Sequence, residues 1–293
     1  MKKNIILGIG ILLSLLTLSA CGGNKTENGL KYKILVKGTG RTAQMGDLVK
    51  GILTLSAQDS ILMTSGEESE IILQIMESIF PGDLNEGLLV LHEGDSASFF
   101  MPIDSIEKYM GPGMMPDFVK KELVYTIKID KLYTQAEYQE EENIRAAEAQ
   151  ELEDLAIAQY LQENNITVTP EESGIYFIET KKGKGNTVQQ GQSVKVNYIG
   201  KLLNGKLFDT NIESVAKENG TYIPQRTYEP MSVLAGVGQM IPGFDQALTM
   251  MKKGSKATVI IPFRLAYGNR AVSEDIPAYS TLVFEVEMVE VGQ

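Results

Sequence analysis

The sharpest alternation of apolar and polar positions lies near the end of the chain. Residues 281–291, TLVFEVEMVEV, place every second side chain on one apolar face, as a half-buried strand does. Residues 122–132, ELVYTIKIDKL, repeat that pattern. The period changes at Phe244, Ala247, Leu248 and Met251, which fall at i, i+3, i+4 and i+7 and predict one face of a helix, with Gly254 as its stop. Residues 196–211, VNYIGKLLNGKLFDTN, read as a hairpin, and Asn204-Gly205 is expected to take the two positive φ angles of a type I′ turn. Residues 135–165 hold no Gly or Pro, are rich in Glu, Ala and Gln, and predict a long helix. Its stretch Glu137 to Asp154 carries eight acids against Arg145 alone, and Ile144, Leu152 and Leu155 form a thin apolar stripe. Such a helix serves either as a solvated connector or as a dimerisation arm that pairs two copies.

The patterns occur twice. Residues 29–50 (GLKYKILVKGTGRTAQMGDLVK) align without a gap on residues 174–195 (GIYFIETKKGKGNTVQQGQSVK), an offset of 145. Gly29, Gly38, Gly40, Thr42, Gln44, Gly46, Val49 and Lys50 recur in the second copy. FPGDLNEGLLVLHEGD (80–95) pairs with IPGFDQALTMMKKGSK (241–256). Two copies with so long a period mean duplicated domains rather than a solenoid. The expected division is 1–20, 21–28, 29–134, 135–165 and 166–293.

The N-terminus, MKKNIILGIGILLSLLTLSAC, sets Lys2 and Lys3 before an apolar run from Ile5 to Leu18. The run is too short for a span, which needs about 20 residues, and fits a secretory leader over residues 1–20. Leu18-Ser19-Ala20-Cys21 resembles a bacterial lipobox. That resemblance implies lipid attachment at Cys21, with residues 22–28 as a flexible tether. Cys21 is the sole cysteine, so an internal disulfide is ruled out. With Gly22 after it, the expected place is the outer membrane of a two-membrane cell envelope, facing the periplasm.

The net charge of −11 argues against nucleic acid as a partner. Histidine occurs once, at His92, so His-dependent nucleophilic triads and His/Cys zinc sites are disfavoured; no metal and no cofactor is expected.

Five separated motifs in the second copy carry a further resemblance: Tyr198-Ile199-Gly200, Gly205 to Asp209, Gln239 to Phe244, Ala266-Tyr267-Gly268, and Ile276-Pro277 leading to Thr281-Leu282-Val283-Phe284. In this order they resemble an FKBP-type peptidyl-prolyl cis-trans isomerase. The resemblance implies an α+β fold: two FKBP-like domains, each a twisted antiparallel sheet half-wrapped around a short helix, joined by the acidic helix. It implies that Asp209, Tyr267, Tyr198 and Phe208 act on the substrate. It also implies that Val233, Met240, Ile241, Phe244, Ile276 and Phe284 bind it. Phe244 stands where many members have tryptophan, and Met231 where an aromatic is common. The partners implied are proline-containing segments of exported proteins.

Asp209 is expected to be an oriented acceptor at the rim rather than a proton-transfer base; the alternative is a strand-end acid capping local N–H groups. In the first copy, Leu53, Met63 and Thr64 stand at the positions of Tyr198, Phe208 and Asp209, and the segment from Thr64 to Pro81 is about 16 residues shorter. A degenerate domain with little isomerase activity is expected there. GPGMMP (111–116) suits either a client-binding loop or an ordinary one. The leading function is therefore prolyl isomerisation in the folding of exported proteins. The rivals are a non-enzymatic chaperone or adaptor lipoprotein and a structural envelope lipoprotein.

Overall fold

A computed structural model describes residues 24–58, 60–66, 71–113 and 119–292. The leader, Cys21, and Met114 to Pro116 lie outside the described residues. The chain divides into two compact units, one ending at Glu140 and one beginning at Glu141.

The first unit contains β1 (Asn24–Lys25), β2 (Lys31–Val36), β3 (Leu48–Ala57), β4 (Ser60–Thr64), β5 (Ile71–Gln74), α1 (Leu84–Leu88), β6 (Ser96–Pro102), α2 (Ile103–Met110) and β7 (Glu122–Tyr133). Its strands form one antiparallel sheet in the order β1-β2-β6-β7-β3-β4, with β5 also pairing β3. The buried core gathers Val49, Ile75, Leu88, Leu91, Phe99 and Ile127.

Helix α3 (Gln135–Glu163) follows. It starts with a capping box: the Thr134 N–H donates to Glu137 Oε2 at 2.7 Å, and the Glu137 N–H donates back to Thr134 Oγ1 at 3.2 Å. Ile144, Leu152 and Leu155, the stripe visible in the sequence, stand exposed. A different face is covered: Ile157 is buried with Ile260 and Val283 of the second unit.

That unit contains β8 (Tyr176–Lys181), β9 (Lys184–Thr187), β10 (Ser193–Leu202), β11 (Leu207–Thr210), α4 (Glu213–Glu218), β12 (Met231–Leu234), α5 (Pro242–Met250), β13 (Lys252–Lys253), β14 (Lys256–Ile261), a 3-10 turn (Phe263–Leu265) and β15 (Leu282–Val291). The main sheet runs β11-β10-β15-β14-β8, with β12 beside β10, and β9 pairs β13 separately. This is the plan of the first sheet strand for strand, from β4-β3-β7-β6-β2 with β5 beside β3. The ladders even slip at equivalent places, between Lys50 and Gly51 in one and Lys195 and Val196 in the other. Gly46 (φ 88°) and Gly191 (φ 82°) open the turns before β3 and β10 in a conformation only glycine adopts without strain. The α+β class expected from the sequence is therefore the observed one.

Helix α5 packs Phe244, Ala247 and Leu248 into a core with Val196, Val259, Ile261 and Phe284, so the i, i+3, i+4 face is the buried one. Two local expectations change. The helix ends at Met250, with Met251 already extended at ψ 163°; Gly254 belongs to the turn from β13 into β14, where the Ser255 N–H donates to the Lys252 carbonyl at 3.0 Å. The hairpin turn is not type I′, because Gly205 has φ 83° and Asn204 is not among the residues of positive φ. Instead, the Gly205 N–H donates to the Leu202 carbonyl at 2.9 Å and the Leu202 N–H to the Lys206 carbonyl at 2.9 Å. That is an ordinary turn closed by one left-handed glycine, the three-residue hairpin with a bulge. Asn204 spends its side chain on the Lys206 N–H, at 3.0 Å, which favours the conventional φ.

Candidate functional site: an aromatic cluster with an acid at its rim

The centre of the second sheet builds the site. Gly200 of β10 pairs with Asp209 of β11 on one side and with Phe284 of β15 on the other. Tyr198 lies two residues before Gly200 and so shares its face. A Cβ on Gly200 would meet the Phe208 ring at 2.6 Å and the Phe284 ring at 3.0 Å, so glycine is what lets the two rings close over the strand. Phe208 and Phe284 meet edge to face at 5.6 Å between centroids. Phe244 rises from α5 to meet Phe284 at 4.9 Å and Tyr198 at 6.3 Å, both T-shaped. Edge-to-face pairs of this kind add roughly 0.5–1.5 kcal/mol each to their burial.

Val233 and Ile276 are buried in the same apolar cluster, and Met240 and Ile241 pack against it half-buried. Ile241 leads directly into Pro242 at the first position of α5. The loop carrying Met240 is held by Asp245, whose oxygens accept from the Gly236 and Gly238 N–H groups at 2.7 and 2.6 Å. Tyr267 stands apart: it is 38% exposed, although Ala266 beside it packs against the cluster.

Asp209 sits at the edge of the rings with a side chain 38% exposed. The Tyr198 hydroxyl donates to its Oδ2 at 2.5 Å, and its own neighbour Thr210 donates a backbone N–H to Oδ1 at 2.9 Å. Arg226 completes the set. Its Nη1 lies 2.5 Å from Asp209 Oδ1, and its Nη2 donates to the Tyr198 hydroxyl at 3.1 Å. Burial pushes the Asp209 carboxyl up, but Arg226 and the Tyr198 hydroxyl outweigh it and hold it below the usual carboxylate range. Burial first, and then Asp209, push the Tyr198 hydroxyl up to about 12. The hydrogen bond to Asp209 raises Arg226 further above its ordinary value. The site is therefore a closed proton inventory at neutral pH: a fixed anion, a fixed cation and a neutral phenol.

Arg226 and the residues after Asp209 escape a motif-based reading. Thr210 Oγ1 donates to the Tyr198 carbonyl at 2.7 Å, and Asn211 accepts the Tyr198 N–H at 2.8 Å while donating to the carbonyls of Val196 and Glu229. These two buried side chains fasten the 211–230 loop, and with it Arg226, to β10. The buried-polar rule offers a signal only after the fold is known.

In the first unit the equivalent positions hold Leu53, Leu55 and Met63 in place of Tyr198, Gly200 and Phe208. Leu55, which packs half-buried against the first core, brings a side chain where Gly200 has none, and Met63 stands exposed. Thr64 carries no charge and pairs its hydroxyl with that of Thr54 at 3.0 Å. His92 also lies in this unit, with Nδ1 3.0 Å from Lys37 Nζ. Among the described residues no group of three or more His, Cys, Asp or Glu side chains is placed to hold a metal.

The second sheet thus closes over one short helix, with four rings meeting beside an ion-paired acid. The family model for FKBP-type peptidyl-prolyl cis-trans isomerases matches residues 184–289. The FK506-binding protein 1A of Neurospora crassa is 38% identical over 121 residues, which are 41% of this chain and 90% of that protein. The FKBP-type 22 kDa peptidyl-prolyl cis-trans isomerase of Escherichia coli is 40% identical over 134 residues, 45% of this chain and 58% of that protein. The solved structure of FkpA from Escherichia coli aligns at 30% identity over 54% of this chain and 65% of its own, with a TM-score of 0.40. The chain belongs to the FKBP-type peptidyl-prolyl cis-trans isomerase family. It spans less than two thirds of the length of the first curated relatives, 28% for the FK506-binding protein 4 of Rhizopus delemar.

Proposed function

We propose that the second unit accelerates cis–trans isomerisation of X-Pro bonds in exported polypeptides, by receiving the prolyl ring among Tyr198, Phe208, Phe244 and Phe284. The observation that carries this reading is the contact of the four rings beside Gly200, whose missing side chain lets Phe208 and Phe284 close over the strand. No bond is broken in the reaction. Its barrier of about 18–20 kcal/mol comes from amide resonance. Water stabilises the planar, charge-separated imide more than the twisted state, which has lost that resonance. Exchanging water for ring faces removes this preference for the ground state. A thousandfold gain asks for about 4 kcal/mol. Asp209, held in place by Arg226 and Tyr198, offers a fixed negative pole for the polarised carbonyl carbon of the twisting bond. Tyr267, with its exposed ring, is the candidate donor to a neighbouring peptide carbonyl. Val233, Met240, Ile241 and Ile276 line the remaining apolar walls.

We further propose that the mature chain is held by lipid on Cys21 at the cell envelope, and that the division at 29–134, 135–165 and 166–293 separates a degenerate copy, an arm and the isomerase. A chaperone role for the first unit has one observation in its favour: Met63, Met76, Ile79, Tyr109 and Met110 are all exposed. The dimerisation role of α3 is supported by the exposure of Ile144, Leu152 and Leu155.

The test is two-dimensional NMR exchange on an Ala-Pro peptide with the whole chain, read across pH. Asp209 has a lowered value in the fold, so its contribution is present above the ordinary carboxylate pKa of about 4 and fades as pH falls through the lower folded value. Tyr198 has a raised value, so its contribution is present below its ordinary value and is lost as pH rises through about 12. The expected kcat/KM is flat from about pH 5 to 9. A bell-shaped profile centred near 7 contradicts this reading, and absence of acceleration ends it.

A further inference from the structure

Helix α3 carries a buried acid that the chemistry above does not use. Glu153 is 5% exposed. Its Oε1 accepts from the Phe263 backbone N–H at 2.7 Å and from Thr281 Oγ1, while Oε2 has no hydrogen-bond partner. Phe263 opens the 3-10 turn after β14, and Thr281 is the residue before β15. One oxygen thus joins the two ends of the 264–280 loop, which carries Tyr267 and Ile276. Further along the helix, Glu142 Oε2 accepts from Asn269 Nδ2 at 2.6 Å, in the middle of the same loop.

Docking of the helix does not account for this acid. Ile157, buried against Ile260 and Val283, already provides an apolar anchor one turn away. A buried carboxyl with one orphan oxygen opposes docking, because desolvation is only partly offset by two donors. The neighbouring groups do not neutralise it: Asp154 adds repulsion and Arg264 only a lesser attraction, and burial raises the Glu153 pKa above the ordinary value. What the acid does achieve is geometric. Burial of Ile276 in the apolar cluster and an ion pair between Asp275 and Lys206 hold the far side of the loop, but its two ends meet at Glu153, and Tyr267, near the first of them, is exposed. Inside the loop, the Tyr279 N–H donates to the Gly268 carbonyl at 2.8 Å, and the Phe263 and Tyr279 rings meet edge to face at 5.2 Å.

We propose that Glu153 is a positioning residue: from a helix outside the segment matched by the family model, it ties both ends of the 264–280 loop and so sets Tyr267 at the rim of the proline site and Ile276 in its apolar wall. The inference rests on the isomerase reading for its kinetic consequence, but not for its structural one. The experiment uses the full chain with Glu153→Ala, Glu153→Gln and Thr281→Val, read by peptide KM and kcat and by amide hydrogen exchange. In Glu153→Ala, KM is expected to rise about fivefold to tenfold with kcat within about twofold, because rim contacts are lost while the ring cluster stays intact. Amides of 264–280 should exchange at least about tenfold faster, with those of β10 unchanged. Glu153→Gln keeps an oxygen for both donors and returns KM to within about twofold of the original. Thr281→Val removes one donor without touching the acid and gives an intermediate rise; if Glu153→Ala fails to fold, this variant decides by the same two readings. Unchanged loop exchange and KM overturn the proposal, as does a KM rise that glutamine does not rescue. If the unaltered chain does not accelerate isomerisation, the isomerase reading falls, and loop exchange alone decides the bracing.

Discussion

Replacing Asp209 with alanine is expected to lower kcat/KM for an X-Pro peptide by about ten- to a hundredfold, the equivalent of one or two charge-assisted hydrogen bonds at about 1.5–3 kcal/mol. The substitution removes the acceptor of the Tyr198 hydroxyl and the counterion of Arg226 together. Arg226 is then free to swing toward water, and the Tyr198 ring loses the contact that fixes its hydroxyl at the edge of the cluster. The effect on folding is expected to be small, because the Asp209 and Arg226 side chains are 38% and 33% exposed and such pairs are screened. Asp209→Asn separates the roles. It preserves an acceptor for Tyr198 but loses the ion pair, and should recover part of the rate. Alanine and wild-type chains turning over equally would reduce Asp209 to a strand-end cap.

The largest loss of stability is expected from Phe244→Ala. Phe244 is 1% exposed and meets two rings of the cluster from the helix side. Truncating a buried phenylalanine costs about 3–5 kcal/mol through lost transfer energy and the cavity left behind. For a unit of this size the midpoint of its thermal transition should fall by roughly 10 °C. The first unit shares no core with Phe244. Differential scanning calorimetry should therefore show the second unit's transition moving alone. Phe244→Leu, which leaves less empty space, should lose less than half as much. A shift of under about 2 °C for alanine would mean that the cluster collapses onto the gap, and that the ring is not the floor of anything.

The two halves of this molecule were legible to different degrees for physical reasons. The duplication could be read from glycines because Gly46 and Gly191 answer to backbone angles, which survive when side chains diverge. The last strand of each sheet, β7 and β15, followed from alternation, since each buries one face. The aromatic cluster was legible only through the family resemblance, because Tyr198, Phe208, Phe244 and Phe284 come from three strands and a helix that meet only in the fold. Arg226 was not legible, because it comes from a long loop whose path depends on the buried amide of Asn211. Glu153 was hidden among eight other acids of α3, and only burial distinguishes it. The hairpin turn was misread because Asn-Gly suits two turn geometries, and the side-chain bond from Asn204 to Lys206 selects between them.

Desolvation by apolar rings is the centre of this account, and Phe208 isolates it. It is half-buried, so its replacement leaves the fold standing. The decisive measurement is peptide exchange with Phe208→Leu and Phe208→Asn, two side chains of similar reach and opposite polarity. The account predicts that leucine retains activity within about fivefold, and that asparagine, which brings an amide and its water into the cluster, loses about thirtyfold or more. Equal rates for leucine and asparagine would contradict it.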